Sequence, residues 1–116
     1  MRPPSVTAFV IASALSACSS TSHGGKTPIP ANPNEVVIYD YKFVPKTLTV
    51  AVGTTVRWLN RDIAPHTATH RSFDVEPFDT GTLGHLAAFS HTFKTAGSYD
   101  YLCVLHQGMT GTIVVQ

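Results

Sequence analysis

Four possible metal ligands stand out in this sequence. Residues 103–109, CVLHQGM, bring a thiol, an imidazole and a thioether within seven residues, and a second imidazole, His66, lies 37 residues before Cys103. Two His nitrogens and one Cys sulfur, with a weak axial Met, are the ligand set of a blue-copper electron-transfer site. Sulfur donors suit Cu(I) and imidazoles suit both oxidation states, so the metal can change charge with little movement. The spacing predicts one metal ion bound by His66, Cys103, His106 and Met109.

Zinc is the alternative metal, because Cys and His bind it well and a copper-selective geometry is not visible in a sequence. Met109 favours copper, since zinc rarely accepts a thioether. A nucleophilic Cys-His enzyme is the second alternative. No orienting Asn or Asp is obvious beside Cys103 and His106, and a domain of this size is not expected to hold a substrate cleft. The pattern therefore favours a protein that is not an enzyme.

The other histidines are not expected to be ligands. His70 follows His66 by four residues, which is the spacing of a helical zinc pair. A preceding proline and two threonines favour an extended segment, in which the two side chains would be about 13 Å apart. We therefore expect His70 at the surface. The remaining three histidines lie outside the ligand loop: His23, His85 and His91. Of these, His85 is the most credible spare ligand.

Residues 1–17 have the layout of a secretory signal. Arg2 supplies a short positive region, residues 6–15 an apolar stretch, and residues 15–17 a small-residue exit. The apolar stretch is too short for a spanning helix. Residues 15–18, LSAC, resemble a bacterial lipobox, which implies diacylglycerol attachment at Cys18. The alternative is an ordinary signal peptide with a nearby cysteine. We expect an exported protein on the periplasmic or cell-surface side, anchored to a membrane by lipid.

Export makes the cysteine count informative. If Cys18 carries lipid, Cys103 is the one thiol left in an oxidising compartment, and metal ligation gives it a role. Residues 18–34 are predicted to be the lipidated cysteine and a flexible tether, because Ser, Gly, Pro and Asn dominate them. Residues 35–116 are predicted to be the folded domain.

The charge balance limits the possible partners. A formal net charge of +1 excludes a strongly basic nucleic-acid binder. Removing residues 1–17 takes away Arg2 and leaves seven basic and seven acidic groups. Long-range electrostatic steering alone is therefore not expected to capture a partner.

The folded part reads as short strands. Val56, Trp58 and Asn60 alternate onto one face, and turn residues punctuate the apolar segments. Strands are expected at residues 35–41, 47–52, 54–60, 87–95, 98–103 and 110–115, and a helical turn or two only at 77–86. This pattern predicts an all-β, antiparallel β-sandwich with an aromatic core. Tyr101 is expected to make the tyrosine-corner hydrogen bond of Greek-key sandwiches.

Six stretches carry a family resemblance: GTTVRWLN (53–60), PHT (65–67), FDTG (78–81), FSHTF (89–93), GSYDYLC (97–103) and HQGM (106–109). They occur in the order seen in the cupredoxins, so residues 35–116 resemble a blue type 1 copper protein of the plastocyanin/amicyanin kind. The short gaps between Cys103, His106 and Met109 resemble amicyanin more than azurin. The resemblance implies an eight-stranded Greek-key sandwich with His66, Cys103, His106 and Met109 as copper ligands.

One position departs from this family. Plastocyanin and amicyanin usually carry Asn after the first ligand histidine, where it ties the two ligand loops together. This sequence has Thr67 there. A threonine hydroxyl can form a similar bond with a different reach, so this position bears on the rigidity and the reduction potential of the site.

Site and resemblance together predict a copper electron carrier. We expect a monomer that docks briefly with a redox donor and a redox acceptor over a small interface. A membrane would be its second partner, through the lipid on Cys18. The alternative is a copper storage, delivery or sensing lipoprotein. No Met-rich or His-rich tract extends beyond the single site, which favours the carrier.

Overall fold

The computed structural model describes residues 29–72 and 75–116. The predicted signal peptide, Cys18 and His23 lie outside the described residues. Within those ranges no helix is long and apolar enough to cross a membrane. The same ranges contain eight strands: β1 Glu35–Tyr39, β2 Lys42–Val44, β3 Thr47–Val50, β4 Thr55–Asn60, β5 Thr69–His70, β6 Ala88–Thr92, β7 Gly97–Leu102 and β8 Thr110–Val115.

The strands form two four-stranded sheets around one core. The first sheet has the order β2-β1-β4-β6 and the second the order β3-β8-β7-β5. The predicted Greek-key sandwich of about eight strands is confirmed. Both sheets are mixed, because β1 pairs with β4 and β3 pairs with β8 in parallel. The chain crosses to the second sheet for β3 and returns for β4, which brings β4 beside β1 in the same direction.

A tight turn divides the first predicted strand into two. The strand expected at 35–41 ends at Tyr39, and β2 begins at Lys42. Asp40 and Tyr41, between them, both have positive φ, 55° and 60°. Positive φ at both central positions defines the type I′ turn, whose twist matches that of the two strands. The turn places the Tyr41 side chain at the end of the sandwich that holds the predicted ligands.

The segment expected to contain a helical turn is extended instead. Leu83 pairs with His66, and Asp79 pairs with Thr69, each in an isolated antiparallel bridge. These bridges satisfy backbone groups that a helical turn would have bonded internally. Residues 78–83 therefore run antiparallel to residues 66–69, the segment that begins with the predicted ligand His66.

Aromatic side chains fill the core, as the alternation predicted. Trp58 is fully buried and stacks on Phe78, with 5.1 Å between ring centroids. Tyr101 meets Trp58 edge to face at 5.6 Å, and Phe93 meets Phe78 in the same way at 5.5 Å. Burying one such ring contributes about 1.5 to 3 kcal/mol. These contacts join β4, β7 and the residue that follows β6, so the strand end before Cys103 is fixed by the core.

The tyrosine corner is made by Tyr99, and the prediction for Tyr101 is wrong. The Tyr99 hydroxyl donates to the Thr95 carbonyl oxygen at 2.6 Å. The Tyr101 hydroxyl is buried with the Trp58 indole as its polar neighbour, accepts or donates no backbone hydrogen bond among the described residues, and has a pKa that burial raises. Its ring lies against Trp58 and over Gly111, its partner across β7 and β8.

Gly111 makes room for the Tyr101 ring. A Cβ added at Gly111 would lie 2.6 Å from both Cζ and the hydroxyl oxygen of Tyr101. We expect Gly111→Ala to lower the free energy of unfolding by about 1 to 3 kcal/mol, because the buried ring would have to move. Chemical denaturation measures this. Gly84→Ala is the control, since a Cβ there meets nothing within 4 Å. Equal stabilities of the two variants would contradict this role of Gly111.

Candidate metal centre

Two loops at one end of the sandwich bring three of the four predicted ligands together. The Nδ1 atoms of His66 and His106 are 3.1 Å apart. The Cys103 sulfur lies 3.8 Å from Nδ1 of His66 and 3.5 Å from Nδ1 of His106. All three candidate ligand atoms lie within 4.8 Å of one another. The arrangement matches a small metal ion, since three donors converge on one point.

The first loop holds His66 by its backbone and its ring. The His66 N–H donates to the Leu83 carbonyl at 3.1 Å, and the Leu83 N–H donates back at 2.7 Å. On the far side of the ring, Nε2 lies 2.8 Å from an Asp62 carboxylate oxygen. That carboxylate places the ring proton on Nε2, so Nδ1 keeps its lone pair for a metal. The His66 side chain is fully buried.

The second loop carries the other three predicted ligands, Cys103, His106 and Met109. It closes through a hydrogen bond from the Cys103 N–H to the Met109 carbonyl at 3.0 Å. Gly108 has a φ of 81°, which lets the loop turn back between His106 and Met109. The Met109 side chain is buried in the hydrophobic core cluster. Cys103 is buried and forms no disulfide within the described residues.

Asp62 organises the surroundings of the site. Its carboxylate accepts the backbone N–H groups of Asp40 at 2.7 Å and Tyr41 at 2.9 Å, in addition to His66 Nε2. Burial acts to raise the Asp62 pKa, but the hydrogen bonds from Tyr41, Asp40 and His66 outweigh it and hold the pKa below its ordinary value. Asp62 is thus ionised at neutral pH and connects the β1–β2 turn to the first ligand loop.

Tyr41 covers both imidazole rings. Its ring meets His66 at 5.1 Å and His106 at 4.9 Å between centroids, each time edge to face. Sequence reasoning missed both Tyr41 and Asp62. Asp62 had a usable signal, since a carboxylate four residues before a ligand histidine can orient its ring. Tyr41 had none, because its place depends on the hairpin turn.

Thr67 ties the two ligand loops together. Its N–H donates to the Cys103 sulfur at 3.3 Å, and its hydroxyl oxygen accepts the Val104 N–H at 3.0 Å. The bond from the Thr67 N–H to the sulfur uses only the backbone, so it depends on the position after His66 and not on the threonine side chain. The hydroxyl bond gives Thr67 the loop-joining contact that the resemblance assigns to an Asn.

The other described histidines do not join the group of donors. His70 was expected at the surface, but it is buried and stacks on Phe78 at 5.3 Å. His85, the spare candidate, lies with Nδ1 3.0 Å from the Asp62 carbonyl oxygen. His91 pairs with a carboxylate oxygen of Glu76 at 3.1 Å.

The donors fit copper. A buried thiol and two imidazole nitrogens converge, and Asp62 orients one ring so that its Nδ1 is available. Soft sulfur together with imidazole nitrogen suits a copper redox site. With the Greek-key sandwich, this donor set defines a cupredoxin, the class of blue copper electron-transfer proteins.

Residues 32–116 match the family described as copper binding proteins of the plastocyanin/azurin family, and the chain belongs to that family. Amicyanin of Paracoccus versutus is 32% identical over 90 residues, covering 76% of this chain and 68% of its own. Plastocyanin of Scenedesmus fuscus is 37% identical over 87 residues, covering 64% of this chain and 86% of its own.

Solved structures agree with the sequence relatives. The oxidised state of a proline-to-alanine mutant of amicyanin superposes with a TM-score of 0.66 at 35% identity, covering 71% of this chain and 80% of that one. Members of this family bind one copper ion and carry electrons. The chain is therefore a copper-binding electron-transfer protein and not an enzyme.

Asp62→Ala is expected to weaken copper binding by about 10- to 100-fold, as the loss of an outer carboxylate on a ligand histidine commonly does. The His66 ring would lose the acceptor on Nε2 that orients it. Competition with a Cu(I) chelator measures the affinity. Asp100→Ala is the control, because Asp100 is an exposed carboxylate that accepts from Thr112 on the second sheet. Unchanged affinity in Asp62→Ala would contradict the assignment.

Proposed function

We propose that His66, Cys103, His106 and Met109 hold the copper ion of a membrane-tethered, exported electron carrier. The observation that carries the proposal is the convergence of three donor atoms within 4.8 Å in a mostly buried site. Support for Met109 comes from its position in the loop that Cys103 and Met109 close together. Copper bound there would supply a one-electron change between Cu(I) and Cu(II).

The protein contributes a frame that keeps the donors in place. Bonds to Leu83 and Asp62 hold His66 from two sides. Thr67 bonds both the Cys103 sulfur and the backbone that follows it. Donors that are fixed before the electron arrives need little rearrangement when it does, and a small rearrangement makes transfer fast.

An apolar surface surrounds the site and suits brief docking. Five of the exposed large apolar side chains lie in the loops that carry or contact the ligands: Tyr41, Ile63, Leu86, Val104 and Leu105. The His106 side chain is partly exposed among them. An electron would pass through the edge of its ring to a redox protein seated on this surface. The neutral balance of charge in residues 18–116 is compatible with a weak, small interface.

Attachment to a membrane would come from lipid on Cys18, after removal of residues 1–17. Support for this comes from the lipobox-like residues 15–18. The Ala31 N–H donates to Glu35 and the Arg57 N–H to the Asn34 carbonyl, so the end of the predicted tether contacts the domain. Residues 18–31 then span at most about 45 Å when fully extended.

The rival function is copper storage, delivery or sensing, with the same donors. The two functions differ in what leaves the protein: an electron in the first and the metal in the second. Burial of His66 and Cys103 favours the carrier, because a site that hands over metal needs a path for an incoming ligand.

The visible spectrum of the full chain after addition of one equivalent of Cu(II) tests the site. We expect an intense thiolate-to-copper band that bleaches with reductant and returns with oxidant, without copper passing to a chelator. Cys103→Ser should abolish the band, because the sulfur is lost. Thr112→Val, which alters a distant hydroxyl, should keep it. A band retained in Cys103→Ser would refute the ligand set, and copper lost during cycling would favour the rival.

Cell fractionation tests the anchor. The wild-type chain should be found in the membrane fraction, and Cys18→Ser should move it to the soluble fraction, because no acyl chain can then be attached. The copper band should be unchanged in that variant, since Cys18 is not a proposed ligand. The same membrane partition for both proteins would contradict lipidation at Cys18.

A further inference from the structure

A chain of three hydrogen bonds leads from the second ligand loop to an exposed carboxylate. The Val104 N–H donates to the Thr67 hydroxyl oxygen at 3.0 Å. The hydroxyl oxygens of Thr67 and Thr69 are 3.0 Å apart. The Thr69 hydroxyl donates to a carboxylate oxygen of Asp79 at 3.1 Å. The chain thus connects Val104, which directly follows Cys103, with a residue on the segment that pairs with β5.

The carboxylate fixes the direction of every bond in this chain. The Thr69 hydroxyl donates to the Asp79 carboxylate oxygen, so its proton points to Asp79. The Thr69 oxygen is then the acceptor for the Thr67 hydroxyl proton. The Thr67 oxygen is in turn left to accept the Val104 N–H. Each hydroxyl donates once toward Asp79 and accepts once from the site, so neighbouring bonds strengthen one another.

Asp79 lies on a segment that is firmly attached to the chain following His66. The Thr80 N–H donates to the Ala68 carbonyl at 3.1 Å, and the Ala68 N–H donates to the Thr80 hydroxyl at 2.9 Å. Asp79 itself also accepts the Gly81 N–H at 2.9 Å. The carboxylate that ends the chain of bonds is thus held in place.

We propose that Thr69 and Asp79 are positioning residues that hold Thr67 between the two ligand loops and thereby raise the reduction potential of the copper site. The inference rests on the proposed function. Thr67 donates its N–H to the Cys103 sulfur, and this bond withdraws electron density from the thiolate. A less electron-rich thiolate stabilises the oxidised metal less. Fixing Thr67 therefore favours the reduced state.

Two alternative roles for these bonds lead to different expectations. If the bonds only stabilise the strand, their loss lowers stability and leaves the potential unchanged. If Asp79 acts by its charge through space, removing the charge raises the potential, because a negative charge favours the oxidised metal. Thr69→Val would have no effect in that case, since it changes no charge.

The test compares reduction potentials of Thr69→Val, Asp79→Ala and Asp79→Asn in the copper-loaded full chain. We expect Thr69→Val and Asp79→Ala to lower the potential and to shift the thiolate-to-copper band. Asp79→Asn should stay near the wild type, because the amide oxygen can still accept from Thr69. Thr112→Val is the matched control: its hydroxyl donates to an exposed carboxylate, Asp100, at 2.8 Å on the second sheet.

Amide hydrogen exchange in the metal-free chain gives a second readout. Val104 N–H exchange should be several-fold faster in Thr69→Val and Asp79→Ala than in Asp79→Asn and the control. Wild-type reduction potentials in Thr69→Val and Asp79→Ala would overturn the proposal. So would a higher potential in Asp79→Ala and Asp79→Asn with a wild-type potential in Thr69→Val. A wild-type chain without a reversible copper couple would refute the proposed function, and the exchange rates would still decide whether these residues hold the loop.

Discussion

The metal centre depends on one connection, the pair of hydrogen bonds that Thr67 makes across two loops far apart in sequence. His66 and Cys103 belong to different loops, and the sandwich alone brings their strand ends only into the same region. Thr67 donates to the Cys103 sulfur and accepts from the next backbone N–H, at Val104. One residue therefore bonds both the candidate sulfur ligand and the backbone that follows it.

A similar double role occurs on the other side of His66, where Asp62 serves the turn and the ring at once. Asp40 and Tyr41 adopt the left-handed conformation, which costs a residue other than glycine roughly 1 to 2 kcal/mol. Asp62 accepts the N–H groups of both and so offsets part of that cost. The turn in return presents the Tyr41 ring to both imidazoles. A carboxylate that also orients the ring of a candidate ligand thus supports two strained residues beside the site.

The sequence was sufficient to predict the features that depend on residue type and on the alternation of apolar residues. Alternation in residues 54–60 and the spacing of residues 103–109 predicted the sandwich and the convergence of Cys103 with the two histidines. Strand ends were less predictable, because the β1–β2 turn has no glycine or asparagine and depends on Asp62, which lies beyond β4. The tyrosine corner was assigned to Tyr101 from its spacing to Cys103, but alternation puts both tyrosines on one face. Only packing decides between them: Gly111 admits the Tyr101 ring, and Tyr99 reaches Thr95.

The polar surroundings of the donors were hardest to predict, for a physical reason. A ligand must be a particular residue type, whereas the group that orients a ligand can be any donor or acceptor within reach. Asp62 and Thr67 lie in the first ligand loop, whereas Asp79 lies on residues 78–83, which the bridges of His66 with Leu83 and of Thr69 with Asp79 hold beside that loop. Those bridges replace the helical turn that the sequence had suggested. Once residues 78–83 lie extended beside the first ligand loop, Asp79 comes within reach of Thr69, and the hydroxyl protons of both threonines acquire one direction. The surroundings of the ligand loops therefore depend on how residues 78–83 form the hydrogen bonds of their own backbone N–H and carbonyl groups.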